Sequence, residues 1–240
     1  MVAEAPMEIR LAGVPLAVLM RTPGYDSDLV RGFALTEGIV LDPDEIASVL
    51  AIGTGDDARY ELVLADGVHV DPERFRRTLY ATSSCGVCGK ASIDAVRVAA
   101  APPTKGPRMT TDVLTALPGT MREHQVTFSR TGGIHAAALF TPDGTMRAIR
   151  EDIGRHNALD KLVGALSNED WPLGDSVLLV SGRVSFEIVQ KAAVAGIPFV
   201  AGVSAPSTLA VDLGRELGMS VIGFLRGSSF NVYAGAARID

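Results

Sequence analysis

The chain has 240 residues, of which 47% are apolar and 21% are charged, and its formal net charge is −6 at pH 7. This composition is typical of globular proteins and excludes disorder of the whole chain. The negative charge argues against nucleic-acid binding as the main activity, and the lack of a run of about 18 apolar residues argues against a membrane span.

The start of the chain carries acidic residues and lacks a basic stretch followed by an apolar one. We therefore expect no signal peptide and a cytoplasmic location. The chain has two cysteines, Cys85 and Cys88. Because thiols in that compartment are kept reduced, the close pair predicts a catalytic, redox or metal-binding role before a structural disulfide.

The first part of the chain predicts two hairpins and two helices. Alternating apolar residues around residues 12–13 indicate a β-hairpin. A helix is predicted over residues 28–36, with Asp26 or Ser27 as its N-cap and Gly38 just after its end. Further predicted elements are a helix start at residues 42–45 and a second hairpin made of residues 60–64 and 68–70.

Residues 98–107 read VAAAPPTKGP, and three prolines and a glycine in this stretch oppose both helix and strand. We therefore predict a linker over residues 101–107. It separates an N-terminal lobe, residues 1–100, which ends with the cysteine segment and a following helix, from a lobe over residues 108–240.

The second lobe shows a clearer pattern. Residues 126–128 and 136–140 indicate strands, and Asn157 is predicted to cap a helix with Asp160 at its third position. From residue 175 a βαβαβ unit follows, which predicts a parallel arrangement with right-handed crossovers. Its strands are predicted at residues 177–180, 199–203 and 221–225, and its helices at 186–195 and 207–217.

Polar residues follow each of these three strands. Because parallel strands end at the same edge of a sheet, where ligands bind, their side chains are expected to lie together. Arginines, hydroxyl groups and helix N-termini suit a phosphate-bearing ligand. The candidates from this argument are Ser181, Arg183, Ser204 and Arg226. The alternative for Ser181 and Ser204 is that each serine simply caps a helix.

Two other polar clusters lie in the second lobe. Residues 131–135 place two glycines before His135, which allows a ligand to approach the backbone or merely forms a tight turn. Residues 151–157 are mostly polar or charged, and Asp152, His156 and Asp160 have a spacing compatible with a metal site. A charged turn before a helix is the alternative.

Cys85 and Cys88 lie in a segment rich in serine and glycine, followed by Lys90 at the start of a predicted helix. This position favours the thiolate, which is the nucleophile. Three uses remain open: half of a zinc site, a thioredoxin-like dithiol, and a persulfide carrier. A zinc site needs further ligands, and the chain has neither a second C-x-x-C nor histidines at the usual spacing.

Taken in order, these motifs resemble the FdhD family, the sulfur-carrier accessory proteins of formate dehydrogenase, from about residue 8 to about residue 233. The segments that carry the resemblance are residues 22–38, 84–90, 131–135, 151–157, 181–187, 204–206 and 223–226.

The resemblance implies a fold and a function. The fold is an α/β fold, a cytidine-deaminase-like mixed sheet with helices on both faces, joined to a smaller α+β N-terminal lobe, in a homodimer. The function is that of a sulfurtransferase, which takes persulfide sulfur from a cysteine desulfurase. It delivers this sulfur to the Mo-bis(molybdopterin guanine dinucleotide) cofactor before insertion into apo formate dehydrogenase. No structural metal, nucleic acid or membrane partner is expected.

The resemblance also implies roles for individual residues. Cys85 corresponds to the persulfide carrier, and Cys88 is expected to protect or release the sulfur. The residues matching the family's cofactor contact are Phe224, Leu225, Arg226, Gly227, Ser228 and Ser229. The end of the third predicted strand, which was assigned above to a phosphate-bearing ligand, lies in the same segment. A guanine dinucleotide carries phosphates that Arg183 and Arg226 can bind.

Two alternatives are weighed against this interpretation. A non-catalytic chaperone would bind and insert the cofactor without carrying sulfur. Nucleobase deamination requires H-x-E and P-C-x-x-C around one zinc ion. Here His135 is followed by two alanines and Cys85 is preceded by Ser84, so deamination is disfavoured.

Overall fold

The computed structural model describes residues 1–53, 58–75 and 106–240. Cys85, Cys88 and Lys90 lie outside these residues, as does most of the predicted linker. The predicted lobe boundary therefore stays a prediction.

The N-terminal sheet has four strands in the order β2-β1-β4-β3. Its strands are β1 (Ala5–Leu11), β2 (Val14–Arg21), β3 (Ile46–Ala51) and β4 (Arg59–Leu64). The first predicted hairpin is confirmed, because β1 and β2 pair antiparallel through a turn in which Ala12 and Gly13 have φ values of 50° and 75°. Two positive φ values are typical of the tight turns that match strand twist.

Two predictions for this region are wrong. Residues 68–70 form no strand, because β4 already pairs with β1 on one side and β3 on the other. Residues 42–45 form only one turn of 3₁₀ helix, Pro43–Glu45, closed by a reciprocal cap between Asp42 and Glu45. The chain then enters β3 directly.

Helix α1 (Asp26–Thr36) connects β2 to this turn. Neither Asp26 nor Ser27 is its N-cap. Tyr25 occupies that position with φ 56° and caps nothing with its side chain. The Asp26 carboxylate instead accepts two hydrogen bonds from Arg21, both at 3.0 Å. Gly38 follows the helix with φ 69°, as predicted.

The larger sheet has six strands in the order β10-β9-β8-β7-β5-β6. β7, β8 and β9 are parallel, whereas β5, β6 and β10 pair antiparallel with their neighbours. Its strands are β5 (His135–Phe140), β6 (Met146–Asp152), β7 (Val177–Val180), β8 (Phe199–Gly202), β9 (Ser220–Arg226) and β10 (Ser229–Ala234). The predicted βαβαβ unit is confirmed.

Five more helices follow residue 110, and they cover both faces of this sheet. They are α2 (Thr111–His124), α3 (Val126–Thr131), α4 (Arg155–Leu166), α5 (Phe186–Val194) and α6 (Thr208–Glu216). Leu178 and Val180 of β7 join the core beneath α1, α4, α5 and α6, whereas Val177 and Leu179 join the core beneath α2. The fold is therefore mixed α/β, as predicted, and β7 is apolar throughout because both of its faces are buried.

Two predictions in this lobe are also wrong. Residues 126–128 begin helix α3 rather than a strand, because the Glu151 carboxylate accepts hydrogen bonds from the free backbone N–H groups of Thr127 and Phe128, at 2.7 and 2.8 Å. The N-cap of α4 is Gly154, not Asn157. Asn157 and Asp160 are instead buried inside the helix.

The two sheets are held together by a contact between the backbones of α1 and α4. A Cβ atom added to Gly32 would overlap the carbonyl oxygen of Asp160, and one added to Gly164 would overlap the carbonyl oxygen of Asp28. The helices can approach this closely only because both positions lack a side chain. Among the described residues, no helix is long and apolar enough to cross a membrane.

Gly164→Ala should push the two helices apart and lower the free energy of unfolding by about 3 kcal/mol. Gly119→Ala is the matched control, because Gly119 is an exposed position of helix α2 and no atom lies within 4 Å of its added Cβ. That change should stabilise the protein by up to about 1 kcal/mol through helix propensity. Urea unfolding of both variants checks the difference, and equal effects would contradict the packing argument.

Candidate functional site

The ends of β7, β8 and β9 lie at one edge of the larger sheet, where backbone hydrogen bonds join them. The Phe224 N–H donates to the Ser204 carbonyl at 3.1 Å, and the Val184 N–H donates to the Ala205 carbonyl at 3.2 Å. The Ser207 N–H donates in turn to the Val184 carbonyl at 2.9 Å. The three segments predicted to share a ligand site are therefore adjacent; we call them the strand-end edge, residues 181–185, 203–207 and 224–229.

Two glycines allow these segments to pack so closely. A Cβ atom on Gly202 would lie 2.5 Å from the Val184 side chain, and one on Gly223 would lie 2.6 Å from Pro206. Both distances are shorter than real Cβ contacts. Backbone contacts therefore fix the positions of the three segments at the edge.

The last segment contains a strained position. Phe224 has φ 54°, which is rare for a bulky residue and is typically found at functional sites. Arg226 is exposed, and its guanidinium lies 5.6 Å from the centre of the Phe224 ring. Gly227, Ser228 and Ser229 are exposed as well.

The side chain of Leu225 has a different environment from its neighbours. It is 0% exposed and packs in the core beneath α2. Within residues 224–229, the structure thus makes Arg226 and the hydroxyl groups accessible to a ligand. Leu225 instead anchors the segment to the core.

Ser181 and Ser204 do not cap helices. The N-cap positions of α5 and α6 are held by Ser185 and Ser207. The Ser181 hydroxyl accepts a hydrogen bond from the Ala136 N–H at 2.9 Å, which fixes the end of β7 against the start of β5. The simple-cap alternative is therefore wrong for both serines.

Positive side chains surround His135 at this edge. Arg183 is exposed, and it acts on His135 together with Arg155. Burial lowers the pKa of His135, and the charges of Arg155 and Arg183 lower it further. His135 is consequently neutral at pH 7, and its ring can accept or donate a hydrogen bond. Two arginines beside a neutral imidazole suit an anionic ligand with polar ring atoms.

Two buried clusters of ion pairs, one around Lys161 and one around Lys191, lie behind the strand-end edge. The Lys161 ammonium lies 2.7 Å from Asp152, whose carboxylate also accepts hydrogen bonds from Thr22 N–H and Gly154 N–H. Asn157 donates to the same carboxylate and to the Met20 carbonyl. This cluster ties β2 to the start of α4.

The second cluster centres on Lys191 of α5, whose ammonium lies 2.7 Å from Glu37 and 3.0 Å from Asp160. Burial raises the pKa of Asp160, while the charge of Lys191 opposes that shift. Asp152 and Asp160 thus pair with different lysines. Together with His156 they form no shared site, and no cluster that could hold a metal is found among the described residues.

His156 lies between the edge and the Lys191 cluster. Its Nε2 atom is 3.4 Å from the Ser185 hydroxyl and 3.9 Å from the Glu187 carboxylate. Burial, followed by the charges of Lys191 and Arg155, lowers its pKa to about 4. His156 is therefore a neutral, positioning side chain beneath the N-terminus of α5.

A cavity of about 650 Å³ opens beside the strand-end edge, between α2, α3 and the ends of β7 and β8. Ser181 and Val203 form the wall that it shares with the edge. The rest of its lining consists of Pro118, Met121, Arg122, Gln125, Phe128, Gly132, Gly133, Ile134 and His135. Gly132 ends α3 with φ 67°, which agrees with the predicted turn at residues 131–135, and the approach of a ligand to this backbone stays a prediction.

Sequence patterns gave no sign of Arg122, Gln125, Phe128 or Arg155 as site residues. Three of them lie on α2 and α3 or between them, and neither helix was predicted. Arg155 was part of a predicted charged turn, but its position beside His135 depends on the pairing of β5 with β6. Only long-range contacts bring these residues to the edge.

His156 should make the protein sensitive to acid. The unfolded chain binds a proton at this residue near pH 6.5, whereas the folded protein resists it down to about pH 4. Stability is therefore lost as the pH falls through this window, by about 2 kcal/mol at pH 5. His156→Gln should remove that part of the loss.

Urea unfolding at pH 7 and pH 5 checks this expectation. The control is His124→Gln, at an exposed position near the end of α2. It should lose as much stability on acidification as the unmodified protein does. If His156→Gln behaves in the same way, His156 does not carry the effect.

Comparison with known proteins identifies the family. A sulfur carrier protein FdhD from Streptomyces coelicolor is 54% identical over 249 residues, which cover 100% of this chain and 88% of the relative. One from Mycobacterium tuberculosis is 50% identical over 248 residues, 98% of this chain and 90% of the relative.

A crystal structure of a proposed formate dehydrogenase accessory protein from Desulfotalea psychrophila has the same fold. It superposes with a TM-score of 0.78 over 99% of this chain and 90% of that one, at 20% sequence identity. The model of the FdhD/NarQ family matches residues 2–240. The predicted resemblance is confirmed, and the chain belongs to the FdhD/NarQ family.

Proposed function

We propose that this protein is a cytoplasmic sulfur carrier that serves formate dehydrogenase. It takes sulfur from a cysteine desulfurase and delivers it to the Mo-bis(molybdopterin guanine dinucleotide) cofactor, before this cofactor enters apo formate dehydrogenase. The names of the relatives support the carrier role. The strand-end edge is the observation that supports this cofactor as the sulfur acceptor, because accessible arginines and hydroxyl groups lie there beside two helix N-termini.

The strand-end edge suits the guanine dinucleotide ends of the cofactor. Arg183 and Arg226 are exposed, and each guanidinium can donate two hydrogen bonds to a phosphate. Helices α5 and α6 begin at the same edge, and their N-termini favour negative charge. We propose a homodimer as the functional unit, because two such edges would serve the two guanine ends of one cofactor.

Sulfur loading requires only an exchange of thiolates. The Cys85 thiolate attacks the outer sulfur of the desulfurase persulfide, the S–S bond breaks, and the desulfurase cysteine leaves as a thiolate. The product is a Cys85 persulfide, and the proton of the transferred sulfur stays with it. No electrons are gained or lost overall.

Delivery as sulfide requires two electrons, which Cys88 can supply. Its thiolate attacks the inner sulfur of the Cys85 persulfide, forms a Cys85–Cys88 disulfide and releases HS⁻. A cellular dithiol reductant then restores both thiols. The strand-end edge contributes by holding the acceptor through its phosphates, so that sulfur is released beside the metal rather than into solvent.

Cys85→Ala should abolish sulfur loading and the maturation of formate dehydrogenase. The measurement is intact mass after incubation with a cysteine desulfurase and cysteine, with Cys88→Ala in parallel. One added sulfur atom, removable by a reductant, is expected on the unmodified protein and on Cys88→Ala but not on Cys85→Ala. Normal maturation with Cys85→Ala would contradict sulfur transfer and favour a chaperone that only binds and inserts the cofactor.

Arg226→Ala should weaken GDP binding about tenfold, because it removes a charge-assisted contact to phosphate. GDP stands for one guanine end of the cofactor, and titration calorimetry measures its affinity. Arg215→Ala is the control, since Arg215 is also exposed but lies near the end of α6, at the opposite edge of the sheet. Unchanged affinity in Arg226→Ala would remove this residue from the site.

A further inference from the structure

Strand β3 forms one edge of the N-terminal sheet and leaves backbone groups unpaired. After a bulge at its start it pairs regularly with β4, and the Ile52 N–H continues the ladder by donating to the Arg59 carbonyl at 2.9 Å. Because the bonds of an antiparallel strand alternate between its two sides, the N–H and C=O groups of Val49 and Ala51 point away from β4. Among the described residues, no hydrogen bond reaches these groups.

Two other edge strands of this protein are protected against pairing with a further strand. On β6 the Arg150 guanidinium donates to the Ile149 carbonyl at 3.0 Å, and charged residues line the strand. On β2 the Asn157 amide of α4 donates to the Met20 carbonyl at 2.8 Å. Strand β3 has no charged residue and no such side-chain contact among the residues that the structure describes. An open, uncharged edge of this kind is a template for an added strand.

The side chains beside the open part of β3 are apolar and exposed. Leu50 and Ile52 are 51% and 55% exposed, and they share one face of the sheet because alternate residues of a strand point the same way. Ala51 is exposed between them and adds no bulk that would keep a neighbouring backbone away. An added strand can therefore bond to the edge while its own apolar side chains cover Leu50 and Ile52.

Acidic side chains lie at the start of this strand. Asp42 and Asp44 are exposed in the turn that precedes β3. A segment that runs antiparallel to β3 would place its C-terminal end beside them, where basic residues would be attracted. A six-residue edge buries far less than the about 1,600 Å² of a specific pair of folded proteins. This argues for an extended segment of a partner rather than a second copy of this chain.

We propose that the β3 edge is a docking site for an extended segment of a partner protein, in which apolar residues alternate along the strand and basic residues follow at the C-terminal end. The segment adds as a fifth strand antiparallel to β3, and its backbone bonds to Val49 and Ala51. Its apolar side chains cover Leu50 and Ile52. This contact goes beyond the sulfur transfer proposed above and does not depend on it.

The test measures how a capped, fluorescent peptide of alternating valine and threonine, ending in two lysines, binds to the full chain by fluorescence anisotropy. Ala51→Pro should weaken binding at least about tenfold, because it removes an outward N–H group and places a ring against the peptide. The fold should persist, since this N–H is not bonded to β4 and proline is tolerated at sheet edges. Unfolding in urea checks that the variant is folded.

Leu50→Lys leaves the backbone intact and tests the apolar contact. It should weaken binding about tenfold, because it removes apolar area and repels the lysines of the peptide. Val18→Lys is the matched control, since Val18 is 61% exposed on β2, the opposite edge strand of the same sheet. Its affinity for the peptide should not change.

Asp44→Lys tests the direction of the added strand. It should weaken binding about threefold at low salt and less at high salt, because exposed charges are screened. Glu123→Lys makes the same charge change at an exposed position of α2 and should have no effect. A peptide with its two lysines moved to the N-terminal end should also bind more weakly. Equal binding of the two peptides would overturn the antiparallel direction.

Hydrogen exchange measured by NMR locates the bound peptide. The peptide should slow exchange of the Val49 and Ala51 N–H groups and leave the N–H groups of β2 unchanged. Equal affinity of the unmodified protein, Ala51→Pro and Leu50→Lys would overturn the docking site, as would a lack of binding up to about 1 mM peptide. If sedimentation shows instead that Ala51→Pro separates a dimer into monomers, the edge pairs with a second copy and the proposed partner segment is wrong.

Discussion

The close contact between α1 and α4 is the constraint on which the rest of the structure depends. It brings two backbones together at Gly32 and Gly164, where no other residue fits. Around it, Lys161 and Lys191 form buried ion pairs with Asp152, Asp160 and Glu37. Replacing buried ion pairs by apolar residues is often neutral or stabilising, so their value here lies in fixing one arrangement of the helices. Apolar packing alone would allow α1 to slide along α4. The Thr36 hydroxyl at the end of α1 donates to Asp160, and Lys161 donates to the Thr22 carbonyl just before α1, so contacts near both ends of α1 specify one register.

The positions of α1 and α4 determine those of the site residues, because only a few residues of chain separate them. Asp152, which ends β6, binds the N–H of Thr22 at the end of β2 and that of Gly154 at the start of α4. Arg155 and His156 follow at once, so the lysine that anchors Asp152 also sets the positions of a charge beside His135 and of the neutral ring beneath Ser185. The N-terminal sheet therefore contributes to the geometry of the site. It holds the base of α4, and with it one side of the strand-end edge.

The sequence predicted those parts of the fold that local chemistry determines. The first hairpin follows from its turn residues, and the βαβαβ unit follows from continuous apolar strands and from Gly196 and Gly218 after its helices. The strand-end edge could be predicted because parallel strands must end together. Helix α3 could not, because its first N–H groups are satisfied by Glu151, more than 20 residues away. The cavity escaped prediction for the same reason, because only the completed sheet places Gln125 and Phe128 beside Ser181.

The site divides two tasks between backbone and side chains. Main-chain hydrogen bonds and glycine contacts fix the positions of the strand ends, so the exposed Arg183 and Arg226 need not contribute to folding. Side chains that are not needed for the fold can keep their hydrogen-bonding capacity for a ligand. The same reasoning applies to the strained backbone of Phe224 and to Gln125, whose buried Nε2 atom has no hydrogen-bond partner among the described residues. Each of them reduces the stability of the ligand-free protein. Both features lie within reach of the same edge, while the buried polar groups around α1 and α4 are all satisfied. In the part of the chain that the structure describes, Ala12 and Tyr25 also have positive φ values, but Gln125 and Phe224 are the local costs that lie beside the strand-end edge, where a ligand could repay them.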